Sequence, residues 1–73
     1  MYNSNQVLKA LAFTAKVQIG NRIEANKLIM IVKEIKDDRI IGAMEYKGKE
    51  RAGMVVLSFE TLLNPHYDIP TIL

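Results

Sequence analysis

The densest basic patch in the chain is Lys47-Gly48-Lys49-Glu50-Arg51, three cations and a glycine in one short run. Cations spaced this way can converge on phosphate oxygens, and a glycine-containing turn between two strands supplies a backbone that lets them do so. The same composition suits a solvated hairpin turn that keeps a sheet edge from pairing with other chains. Tyr46 borders the patch, and its ring could stack on a base or close the open end of an apolar sheet face against Ile29. Arg22 is a further candidate cation. His66 joins the set because it follows the Asn64-Pro65 turn and adjoins Tyr67, although a histidine beside a proline is also an ordinary surface or packing residue. Tyr2 and Tyr67 are the remaining rings able to stack.

Other chemistries fail on spacing. Five residues separate Gly42 from Gly48, where a phosphate-binding P-loop needs four, and Glu50 stands where Ser or Thr would bind magnesium. Ser58, His66 and Asp68 are the residue types of a hydrolase triad, yet no nucleophile elbow surrounds Ser58, which is better placed as a helix cap. Glu24, Glu34 and Glu45 fall apart on predicted strands, as charges on a solvated face, and make no acid–base pair or metal cage. The absence of cysteine and a single histidine remove thiolate zinc, iron–sulfur and conventional metal sites. The expectation is a protein without catalytic residues, metal or cofactor, and not an enzyme.

These residues must be positioned by a small scaffold. The 73 residues predict one domain, 1–73, with ten Lys and Arg against eight Asp and Glu and a net charge of +2, too mild and too interleaved for a nucleic-acid-binding tail. A chain this short buries only about 60% of its unfolded surface. With 49% apolar residues and no disulfide or metal to add stability, the expected staple is a homo-oligomer. No positive charge precedes Lys9, and Lys9 breaks the apolar stretch Val7 to Phe13. Neither a signal peptide nor a membrane span is expected, and the expected location is cytoplasmic.

The scaffold turns on Lys27 to Phe59. Leu28 to Val32 is a run of apolar, mostly branched residues that suits a buried strand. If Asp37 and Asp38 form the loop that follows, Ile35 faces Ile40, Ile31 faces Met44 and Ile29 faces Tyr46, with Lys33 lying over Gly42. That register predicts a buried face carrying Ile31. Ala52 to Phe59 resumes as a strand with Val55 on one face and Val56 on the other, expected to be central or covered on both sides.

Ahead of the hairpin, Asn3 or Ser4 caps a helix over 3–12, with Gln6 in capping-box spacing and Val7, Leu8, Leu11 and Ala15 on the docking stripe. From Phe13 the two-residue alternation Phe13, Ala15, Val17, Ile19 predicts a first strand, turned at Gly20-Asn21 into Arg22 to Asn26. Antiparallel strands therefore occupy 13–59. Residues 60–73 form a helical turn, capped by Ser58 and ended by Asn64-Pro65, and an extended tail heavy enough in apolar residues to pack.

The predicted fold is mainly β with a short N-terminal helix, as a small antiparallel barrel of the SH3-like or Sm-like kind or a curled sheet completed by oligomerisation. The Sm-like RNA-binding family also opens with a helix on a bent five-strand barrel. Its glycine and acidic signatures in the first strands are missing here, so the likeness is architectural and carries over no residue. Two functions are expected of such a scaffold. The first is a non-enzymatic oligomeric module that binds an anionic ligand, either nucleic acid or a nucleotide-like molecule held between subunits, through Lys47, Lys49, Arg51, Tyr46, Arg22 and His66. The second is a protein–protein adaptor or inhibitor, of the compact kind phages encode, working through its apolar helix and C-terminal tail.

Overall fold

A computed structural model describes residues 3–73, so Tyr2 lies outside the described residues. The chain runs α1 (Ser4–Lys16), β1 (Arg22–Ala25), β2 (Leu28–Ile35), β3 (Arg39–Tyr46), β4 (Lys49–Glu50), β5 (Val55–Ser58), α2 (Phe59–Leu62) and β6 (Thr71–Ile72). The strands form one antiparallel sheet in the order β4-β3-β2-β1-β6, with β5 pairing β3 beside β4. Among the described residues the sheet does not close into a barrel. Among the described residues, no helix is long and apolar enough to cross a membrane.

Asn3 caps α1 as expected, its Oδ1 accepting the N–H groups of Asn5 at 2.9 Å and Gln6 at 3.3 Å. The helix then runs past Ala12 to Lys16, and the first strand expected from Phe13 does not form. No helix breaker intervenes before Gly20, and each further residue adds a hydrogen bond to a helix already nucleated. Val17 ends it in extended geometry while its N–H still reaches the Phe13 carbonyl. Gly20-Asn21 is a turn leading into β1, not a hairpin between two strands. The Gly20 N–H bonds the Val32 carbonyl and the Asn21 carbonyl accepts the Val32 N–H.

The stripe that docks is Gln6, Ala10 and Phe13, continued by Val17, whereas Leu8 and Leu11 of the expected stripe are 65% and 59% exposed. Phe13 brings the largest apolar surface on the helix, and Gln6 finds two carbonyl acceptors inside. Its Nε2 donates to Leu62 O at 2.7 Å and Tyr67 O at 3.0 Å, so it ties α1 to the end of α2 and to the tail rather than closing a capping box.

Within the central hairpin the expected pairing holds beside the turn, where Ile35 meets Ile40, and then slips by one residue at a β-bulge on Lys33. Beyond the bulge Val32 pairs Gly42, Ile31 pairs Ala43 and Ile29 pairs Glu45. A one-residue shift sends every later side chain to the opposite face. The expected burial of Ile31 is therefore corrected: Ile31 is half-buried on the outer face, and Met30 and Val32 enter the core. The core joins Ala10 and Phe13 of the helix and Val17 just after it to Ile23, Met30, Val32, Ile40 and Leu57 of the sheet and Leu62 of α2.

The strand expected over Ala52–Phe59 is also shorter and lies at an edge. Gly53, at φ +116, sits in a bend that separates β4 from β5, the two stretches that pair along β3. Val55 and Leu57 face the core as expected, but among the described residues β5 pairs with β3 alone, and Met54 and Val56 are exposed rather than covered. Ser58 caps α2, its Oγ accepting the Glu60 N–H. The tail does pack: β6 pairs with β1, and Pro70 is buried.

Candidate functional site

The basic patch is the turn between β3 and β4. Tyr46 pairs with Lys49, and Lys47 and Gly48 both adopt positive φ, +53 and +77, the geometry of a two-residue hairpin turn matched to strand twist. Glycine takes that conformation freely. Lys47 pays a small steric penalty for it.

The tight turn gathers the cations around one ring. Lys47 Nζ lies 5.4 Å and Arg51 Cζ 5.6 Å from the centroid of Tyr46, within cation–π range. The ring itself is 56% exposed. It does not seal the hairpin against Ile29, whose cross-strand partner is Glu45.

Both carboxylates beside the turn are engaged by cations two strands away in the sheet. Glu45 receives a bidentate contact from Arg22 on β1, with Nε to Oε1 at 3.0 Å, and is nearly buried beneath it. The hydrogen bonds and charge of Glu45 hold the Arg22 guanidinium above its ordinary pKa. Glu50 receives Lys33 Nζ at 2.6 Å. Among the described residues, Lys47, Lys49 and Arg51 make no ion pair. Among the described residues the turn thus presents three cations without an ion-pair partner, two of them over an accessible aromatic ring.

Two of the sequence candidates stand apart from this cluster. Arg22 is committed to Glu45 and supports the turn without offering a free charge. His66 is exposed in the segment between α2 and β6, its N–H on Asn64 Oδ1 at 2.9 Å. The following residue, Tyr67, gives its carbonyl to Gln6 of α1, and partial burial raises its phenol above the ordinary tyrosine range. What sequence reasoning missed was the disposition of Glu45 and Glu50, which depends on cross-strand register and leaves no local signal. Among the described residues, no three of His, Asp and Glu come together as a metal cluster. No protein-family model matches the chain, and neither a curated protein nor a solved structure matches it.

Proposed function

We propose that the chain is a non-enzymatic binding module for a phosphate-bearing polyanion, nucleic acid in the first place, held at the β3–β4 turn. The observation that carries this reading is the half-exposed Tyr46 ring beneath Lys47 and Arg51, with Lys49 beside it and the two local carboxylates already neutralised. The cations meet the phosphates. Tyr46 and the Arg51 guanidinium offer flat surfaces on which an unpaired base stacks, so single strands are preferred over duplex. Exposed Leu8, Leu11, Met54 and Val56, together with a sheet that stays open, support a homo-oligomer in which copies set several such turns along one strand.

The test is fluorescence anisotropy with a labelled single-stranded oligonucleotide at several salt concentrations. Log affinity should fall linearly with log salt, with a slope of roughly 0.7 per phosphate contacted. The Lys47→Ser/Lys49→Ser/Arg51→Ser variant should bind more weakly with a flatter slope and melt nearly as the parent does. Tyr46→Ala should lose about 1–3 kcal/mol of binding at any salt. Shallow salt dependence with tight binding of a single nucleotide would replace the polymer by a small ligand, and unchanged binding by the triple variant would remove the turn. Sedimentation equilibrium tests the assembly, since a species at the single-chain mass of 8.3 kDa overturns it.

A further inference from the structure

A second surface lies on the helical side of the molecule. One stripe of α1, Lys9, Ala12, Phe13 and Lys16, faces Ile69, Pro70 and Ile72 across a groove of about 430 Å³. The floor is apolar, with Phe13 and Pro70 buried, and an exposed lysine stands toward either end. Neither Lys9 nor Lys16 makes an ion pair among the described residues, and α1 contains no acidic residue.

The groove also adjoins an open sheet edge. The Leu73 N–H donates to the Arg22 carbonyl at 2.8 Å, and Ile72 pairs Ile23 in the next position. In an antiparallel ladder, hydrogen-bonded and non-bonded pairs alternate, so the Ile72 N–H and carbonyl point away from β1. Among the described residues the sheet ends at β6, and this edge has no further strand.

We propose that an extended acidic segment of a partner protein adds to β6 and lays alternate side chains into this groove, in the pattern acidic-x-apolar-x-acidic. Lys9 and Lys16 are seven residues apart, which is about 10 Å along a helix. Carboxylates four residues apart on one face of a strand are about 13 Å apart. Lysine stems span that difference, and the apolar residue between falls over Phe13 and Pro70. Strand addition supplies affinity through the backbone, and the groove selects the side chains. A second copy of this chain does not fit, because the one pair of carboxylates four residues apart, Glu34 and Asp38, flanks Lys36. This site is separate from the β3–β4 turn, and the failure of either leaves the other standing.

The probe is a labelled peptide, TETVTET, titrated by anisotropy against the full chain, with TQTVTQT as control. The acidic peptide should bind in the micromolar range and about tenfold more tightly than the glutamine peptide, as two exposed ion pairs allow. Its binding should shift the Ile72 amide in NMR spectra, and methylation of alternate peptide amides should abolish it. The Lys9→Glu/Lys16→Glu variant should reverse the preference toward TKTVTKT. The milder Lys9→Gln/Lys16→Gln variant should lose the discrimination, with thermal melting checking that both variants fold. Equal affinity for the acidic and glutamine peptides overturns the proposal. So does lysine-dependent pelleting with phosphatidylglycerol vesicles in the absence of peptide discrimination, which would make the groove a lipid-facing surface.

Discussion

Gly42 is the position at which the fold leaves least room. It pairs with Val32 immediately before the Lys33 bulge, and a Cβ built there runs into the Ile31 carbonyl oxygen and lies 2.9 Å from Met30 Cε. The methionine tip can move aside, but the carbonyl belongs to the central strand pair and cannot move without breaking the ladder. Overpacking a core usually costs about 1–3 kcal/mol, and a clash with backbone belongs at or above the upper end. A chain of this length has roughly 4–11 kcal/mol to lose. Gly42→Ala should therefore lower the melting temperature by about 12–24 °C, taking about 3 kcal/mol and the usual sensitivity of a small domain.

Gly48→Ala is the matched control. Gly48 has positive φ but no atom within 4 Å of its added Cβ, so only conformational strain of about 1 kcal/mol applies. Differential scanning calorimetry of both variants reads the difference. If Gly42→Ala melts within a few degrees of the parent, β2 and β3 do not approach as described and the Lys33 bulge is refuted.

The remaining core predictions follow from the same register. Ile40, fully buried, should cost about 2–5 kcal/mol when changed to Ala, and Ile31→Ala clearly less because it lies half-buried on the outer face. Equal losses in urea denaturation would restore the unbulged register. Gln6→Glu should be destabilising and pH-dependent, since an ionised carboxylate between the Leu62 and Tyr67 carbonyls is repelled where the amide donated. Its folded pKa then lies above the unfolded value of about 4.3, so the variant should approach the parent below about pH 4 and lose stability as pH rises. Urea midpoints at pH 4 and pH 7 that differ no more than the parent's would refute that role for Gln6.

Much of the scaffold was legible because local signals agreed with tertiary packing. Asn3 and Ser58 cap their helices, the Asp37-Asp38 reversal sets the pairing beside it, and β3 carries its core face on Ile40 and Gly42 as the alternation predicts. The errors have identifiable causes. Phe13, Ala15 and Val17 alternate, but the chain from Thr14 to Lys16 also continues a helix, and a nucleated helix prevails over a strand with no partner. The bulge at Lys33 leaves no mark in the composition, yet it inverts β2 against β3, so one correct turn and one missed residue gave the right face on one strand and the wrong face on its neighbour. Of the candidate site, the turn residues were visible as a local run. The pairing of Arg22 with Glu45 was not, because it requires the register across three strands.

The bulge also bears on the charge of the turn. Lys33 is the inserted residue, and its ammonium reaches Glu50 across the outer face. Glu50 sits between Lys49 and Arg51 in sequence but on the opposite face of the strand, and without Lys33 its unneutralised charge lowers the positive potential at the turn. Lys33→Met should therefore weaken oligonucleotide binding and reduce the salt slope by about one contact, although Lys33 is not among the phosphate-binding residues. Its effect on stability should be small, because both partners of the ion pair are about half exposed. Adding Glu50→Gln to Lys33→Met removes the competing carboxylate and should restore both affinity and slope. A Lys33→Met variant with unchanged binding, or one that Glu50→Gln does not rescue, would show that the turn's cations do not depend on the neighbouring strands to keep their charge available.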